Sequence, residues 1–379
     1  MRRGWALALA IALLAVACGQ GEMTGSDQTS TTAQSGSAST STTAPSEEPK
    51  QLVDWTLLLN SAVNVGPAYM WAGLGMGYFE EEGLRLKVAP GQGAAQATQV
   101  IAAGLVDANT PAPDAMVAAA GRGEPLPLVA VFNLVPRLHY WPAVLPDSPI
   151  QTGADLAGKV IGVQTLASSA VPYIKAYVAE HGIDPETDIE LLPVGQDIQA
   201  AEALKNGEVD ALALWDVTYS NMMANGYELR FLPQSERTEF MMGNIDIVHS
   251  DAITEKHDLV AGFVRATAKS VVFAMANPEA AACVHYEYFP ETLPLDVPIA
   301  DAIAQGAEVV AARVPQLEPL EGMRLGEFNS EGFVRWGEFI GSPVEDAEIF
   351  YTNEFIEFAN DFDVEDVRQA AINYDCSLK

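Results

Sequence analysis

Basic residues are scarce in this chain: 379 residues carry 20 Lys and Arg against 51 Asp and Glu, a formal net charge of −31. Nucleic acid and anionic membrane surfaces both require a cationic face, so neither is expected as a partner. Histidine is also scarce. His139, His181, His249, His257 and His285 show no ligand spacing, and no metal or cofactor is expected. Three cysteines are too few for a disulfide-dense scaffold. The chain lacks a G-x-x-x-x-G-K-S/T loop, a G-x-S-x-G elbow and an H-E-x-x-H helix. Gly91-Gln92-Gly93 imitates the start of a dinucleotide fingerprint, but Gln96 stands where the third glycine belongs. The apolar run from Trp5 to Val16 is too short to span a bilayer comfortably.

That run, preceded by Arg2 and Arg3, reads as a secretory signal over residues 1–17. Ala15-Val16-Ala17-Cys18 resembles a bacterial lipobox, with Ala15 where leucine is commonest. This implies acylation of Cys18 and attachment to the outer face of a cell membrane. The tract 18–50 follows; within it, residues 24–46 hold 14 Ser or Thr. Such a composition cannot bury enough apolar surface to offset its ordering entropy, so a flexible tether is expected. In that oxidising compartment Cys283 and Cys376 are expected to pair, the alternative being a reactive site.

The globular part is organised by an internal echo. Gly91-Gln92-Gly93 runs through an alanine-rich helical pattern to Gly104, then Val106-Asp107-Ala108 and an apolar segment ending at Asp114. Gly195-Gln196-Asp197 runs likewise to Gly207, Val209-Asp210-Ala211 and Asp216. Each copy lies in a series of alternating strands and helices, including one long helix expected over 67–82. The alternation implies parallel sheets with right-handed crossovers and hence two α/β lobes. Residues 133–150, with four prolines, read as the connection between them. The expected boundaries are 51–143 plus 245–379 for lobe 1 and 144–244 for lobe 2. Residues 321–375 carry 14 Asp or Glu against three Arg, which reads as solvated surface.

In parallel sheets, ligands bind beyond the carboxyl ends of the strands. The turns that converge there are Asn60, Ser61, Asn64, Tyr69, Thr110, Pro111 and Asp114 from lobe 1, and Gln164, Thr165, Ser168, Ser169, Trp215 and Asp216 from lobe 2, with Asn244 at the return crossing. Ser168, Ser169, Asp114 and Asp216 have a competing reading as helix N-caps, and Trp215 as a core residue. The set suits a small, partly planar polar solute better than a catalytic apparatus. Tyr69, Trp71, Tyr140, Trp141 and Trp215 are expected near the cleft, with Asp114 and Asp216 accepting from amino groups.

Gly77-Tyr78-Phe79-Glu80-Glu81-Glu82-Gly83-Leu84, Asp155-Leu156-Ala157-Gly158-Lys159-Val160-Ile161-Gly162-Val163, Leu204-Lys205-Asn206-Gly207-Glu208-Val209-Asp210-Ala211 and Ala276-Asn277-Pro278-Glu279-Ala280-Ala281 follow one another in order. Together with Gly91-Gln92-Gly93 they closely resemble the substrate-binding proteins of ABC importers for sulfonates, nitrate and thiamine pyrimidine precursors. The resemblance covers roughly 55–285. It implies the type II periplasmic-binding-protein fold, α/β and two-lobed, each lobe a mainly parallel sheet flanked by helices, with two crossover strands. It also implies a monomeric receptor that closes on its solute and hands it to a permease and ATPase, without a cofactor. A pyrimidine-like solute is favoured, with a sulfonate or nitrate-like anion next. Enzymes of pyrimidine synthesis share the resemblance, but their cysteine-rich motif is missing here; a solute-sensing receptor is the third reading.

Overall fold

The computed structural model describes residues 51–378. The signal run, Cys18 and the tether up to residue 50 lie outside the described residues. Among the described residues there are ten strands: β1 (Val53–Leu58), β2 (Leu84–Ala89), β3 (Ala108–Asn109), β4 (Leu128–Phe132), β5 (Tyr140–Val144), β6 (Lys159–Val163), β7 (Ile189–Pro193), β8 (Ala211–Trp215), β9 (Arg230–Phe231) and β10 (Asp246–His249). The helices are α1 (Tyr78–Glu81), α2 (Ala94–Ala102), α3 (Asp114–Gly121), α4 (Ala170–Ala179), α5 (Asp197–Lys205), α6 (Asp216–Ala224), α7 (Ala252–Glu255), α8 (His257–Ala276), α9 (Pro278–Tyr288), α10 (Ile299–Leu317), α11 (Glu331–Phe339), α12 (Ile356–Ala359) and α13 (Val364–Ile372).

The strands form two five-stranded sheets, ordered β2-β1-β3-β10-β4 and β7-β6-β8-β5-β9. In the first, β1 lies parallel to β2 and β3; in the second, β6 lies parallel to β7 and β8. The antiparallel members are β10 and β5, each the first strand after the chain changes sheets. The outward crossing occupies 133–139, ahead of the expected 143/144 boundary, because Tyr140–Val144 already pairs with β8 and β9 of the second sheet. The return crossing runs beside it: Val135 donates to the Asn244 carbonyl at 2.8 Å, and Gly243 donates to the Val135 carbonyl at 2.7 Å.

The echo survives down to individual hydrogen bonds. The Asp107 carboxylate accepts from the Thr56 amide of β1 at 2.9 Å, and the Asp210 carboxylate accepts from the Val160 amide of β6 at 2.9 Å. In both copies the aspartate's own amide returns a bond to the same residue's carbonyl. β3 and β8 are thereby fixed to their neighbours β1 and β6 before the ladders begin.

The helix expected over 67–82 is broken into 3₁₀ turns at Ala68–Met70 and Ala72–Met76, followed by α1. Gly73, Gly75 and Gly77 weaken the helix, and Gly77 takes φ +72°. The core of lobe 1 is built on α8, whose Phe263, Val264, Ala268 and Phe273 are buried against Trp55, Phe79 and Phe355. Long and apolar as α8 is, nearly three quarters of its most apolar stretch is buried inside the protein. α9, α12 and α13 pack on α8, whereas α10 and α11 touch elements of both lobes, and the Cys283–Cys376 disulfide ties α9 to the segment after α13.

Candidate functional site

The turns that follow β1, β3, β6 and β8 meet in one cavity of about 80 Å³ between the two sheets. By the same measure a single water needs roughly 10–15 Å³. Asn60, Ser61, Asn64, Tyr69, Thr110, Gln164, Ser168, Ser169, Trp215 and Asn244 all line it. Pro111, Asp114, Thr165 and Asp216 do not.

The lobe 1 wall is fixed by backbone capture. The Asn60 amide donates to the Thr110 carbonyl at 2.7 Å, its oxygen accepts from Asn109 at 3.1 Å, and Asn244 donates to the same Thr110 carbonyl. Both amides are thus oriented before any solute arrives, which lowers the ordering cost of binding. Pro111 is buried and accepts from the Ile245 amide at 2.9 Å, so it serves the return crossing. On the lobe 2 wall, Gln164 donates to Gln196 at 2.9 Å and Ser168 accepts from the Ala170 amide at 3.2 Å. The Ser169 hydroxyl is buried beside the Asp114 carboxyl. Trp215, half-buried, ends β8 and precedes α6, where it packs against clusters on both faces of its sheet.

Thr165 explains the Gly-Gln-Gly sequence. Its hydroxyl accepts from the Ala167 amide at 3.2 Å and faces Gly93 across the gap between lobes. Gly93 has φ +119°, and a Cβ there would lie 2.8 Å from Thr165 Oγ1 and from the Ala167 side chain. The Ala95 amide donates to the Ala167 carbonyl at 3.0 Å. Gly93 therefore allows the two jaws to touch, whereas Gly91 makes room for the Leu59 carbonyl of its own lobe.

The two aspartates behave differently from expectation. Neither lines the cavity, and neither stands at the N-cap: each is the first residue of its helix, after Pro113 and Trp215, and Asp216 Oδ1 accepts from the Val217 amide at 2.8 Å. Asp216 is taken up by Arg313, whose Nη2 lies 2.5 Å from Asp216 Oδ1. Asp114 is buried; desolvation pushes its carboxyl up to about 6, with the Ser169 hydroxyl and nearby backbone amides drawing it part of the way back. Trp71 and Trp141 also leave the cleft. Trp71 is wholly buried against His285 and Phe289, and Trp141 packs into the outer cluster of lobe 2.

Sequence reasoning missed Arg313 and His139, and left Tyr140 outside the proposed ligand set. All three line the cavity. His139 stacks on Tyr140 with ring centres 4.4 Å apart; burial, reinforced by nearby Arg313, holds it well below its ordinary pKa and thus neutral. Arg313 enters from α10, donates to the Tyr69 hydroxyl at 3.1 Å and lies over the Tyr69 ring. Burial works against its charge, but Asp216 and Tyr69 outweigh it and hold the guanidinium above its ordinary range. One signal was present in the sequence: Gly306, Val310, Arg313 and Leu317 fall on a single helical face, and all are buried. An arginine in that register requires a buried partner.

Residues 66–281, more than half of the chain, match the family described as NMT1/THI5 like. The chain belongs to the NMT1/THI5-like family. Within its reach, the chain is 24% identical over 243 residues to the formylaminopyrimidine-binding protein of Halalkalibacterium halodurans, covering 63% of this chain and 71% of that one. A solved structure from Bordetella bronchiseptica superposes with a TM-score of 0.65 at 19% identity, covering 81% of this chain and 96% of that chain. The alkanesulfonate-binding protein of Xanthomonas axonopodis pv. citri, bound to MOPS, superposes with a TM-score of 0.53 at 20% identity, covering 71% and 87%. These similarities show the periplasmic-binding-protein fold. The matched segment of the NMT1/THI5-like family holds part of both walls, but it starts after Asn60, Ser61 and Asn64 and stops before α10 and Arg313.

Proposed function

We propose that this chain is the extracytoplasmic solute-binding component of an ABC importer, and that its solute is a small planar heteroaromatic molecule related to pyrimidine precursors. The observation that carries the reading is the cavity itself: preoriented amides, hydroxyls and the aromatic side chains Tyr69, Tyr140 and Trp215 meet at the carboxyl ends of strands from two sheets. The NMT1/THI5-like match and the formylaminopyrimidine-binding relative support the solute class. The solute would engage one lobe first and both after closure, so the closed population rises with binding. The jaw contact at Gly93 is the geometry such closure would produce. An acylated Cys18 would hold a monomeric receptor beside its permease and ATPase.

The test is a thermal-shift panel on the mature protein with a formylaminopyrimidine, methanesulfonate and nitrate. A solute at a hundredfold excess over its Kd stabilises a protein by roughly 2.7 kcal/mol. A shift of that size with the pyrimidine, and none with the two anions, is the expected result. Stabilisation by methanesulfonate alone would replace the solute class; turnover of the pyrimidine would move the protein to the enzyme branch.

A further inference from the structure

We propose that the Arg313–Asp216 pair sets the charge selectivity of the cavity, admitting solutes without negative charge and refusing anions. The inference rests on the reading of the cavity as a solute site. Arg313 is the one lining residue, among those described, that carries a permanent charge. That charge is already matched from behind the wall, where Asp216 lies 2.5 Å away and both side chains are nearly inaccessible. Attraction between charges is strong where water is excluded, so the pair acts as a neutral unit. A further carboxyl, that of Asp114, stands behind the wall beside Ser169. An anion entering the cavity would meet no uncompensated cation and would add to this acidity. A neutral solute meets no such opposition, and Arg313 still keeps one buried N–H, at Nε, without a partner.

The helix that delivers Arg313 is placed to hold it. α10 packs against α9 of lobe 1 and α6 of lobe 2, and Asp216 is the first residue of α6. Arg313 therefore reaches Tyr69 of one lobe and Asp216 of the other. Because α10 lies beyond the matched segment 66–281, the charge of the cavity is set by a part of the chain that the family match does not include.

Benzoate, benzamide and benzamidinium form a test set of one shape and three charges, to be titrated calorimetrically into the mature protein. The wild type is expected to bind benzamide over benzoate. Asp216→Asn leaves Arg313 uncompensated and should shift the benzoate-to-benzamide affinity ratio by roughly tenfold or more toward benzoate. Asp216→Asn combined with Arg313→Gln should abolish that shift. Arg313→Gln alone, should the aspartate variant fail to fold, should move the preference toward benzamidinium by a similar factor. An unchanged ratio in the single variants, or a benzoate gain that persists in the double variant, overturns the proposal. Should no ring compound bind the wild type, the planar-solute reading fails on its own. Methanesulfonate then decides the charge question: saturable stabilisation of Asp216→Asn but not of the wild type supports the pair's role, and equal responses refute it.

Discussion

At the scale of single residues, the cavity is shaped by groups whose polar atoms are already committed. Asn60 and Asn244 hold one carbonyl between them, and Arg313 is shared between Tyr69 and Asp216. Behind the wall stands Asp114, a buried carboxyl with one oxygen unpartnered. Its folded pKa, raised by burial to about 6, lies above the unfolded value, so the native state binds the extra proton. Stability from this group is therefore fully present below about pH 4 and is lost as pH rises toward 6, by on the order of 2 kcal/mol. Asp114→Asn should remove that loss: the difference in unfolding free energy between wild type and variant should fall between pH 4 and 6 and stay flat above. Parallel curves from urea titrations across that range would refute the assignment. Residue by residue, the site was legible where a strand end fixed the position, as for Asn60, Gln164 and Trp215. It was illegible where a polar group met a partner far along the chain. The Arg313–Asp216 pair spans 97 positions, and nothing local to Asp216 reveals that its carboxylate is occupied.

At the scale of elements, the repeat was the strongest signal, because it encodes a local structure: helix, glycine stop, aspartate, buried strand. Gly104 and Gly207 both adopt the left-handed conformation that ends their helices, with φ +69° and +73°. Asp107 and Asp210 then secure β3 and β8 to β1 and β6. Their removal should weaken each lobe separately. Asp107→Ala is expected to cost about 1–2 kcal/mol, and Asp210→Ala less, because the latter carboxylate is more exposed. The two sites share no partner, so their costs should add in the double variant. Chemical denaturation of the three variants gives the answer; a strongly non-additive pair would mean that the repeats are not independent anchors. The broken helix between residues 67 and 82 shows what the sequence pattern obscured. Its apolar spacing was helical, but three glycines in five positions divided it into turns, and this irregular stretch carries Tyr69 to the cavity. The lobe boundary was misplaced for a related reason: Pro142 lies within β5, and a proline-rich connection conceals an antiparallel strand.

At the scale of the whole molecule, two sheets of like topology face one another, and the chain crosses between them twice in adjacent, mutually bonded segments. Helix α10 adds a further link, packed on both lobes. Any opening of the jaws must therefore slide α10 against α6 or α9, and Arg313 must leave Tyr69 or Asp216 in the process. Capture of a solute would thus be reported by the same residues that line its site. The central claim is that this cavity is where the solute binds. Calorimetric titration of a formylaminopyrimidine into the mature protein, Asn60→Ala and Trp215→Ala tests it most directly. The account predicts saturable binding of one solute per chain, weakened by roughly tenfold or more in each variant, as expected for loss of a buried hydrogen-bonding or stacking partner. Wild-type affinity retained in both variants would contradict it.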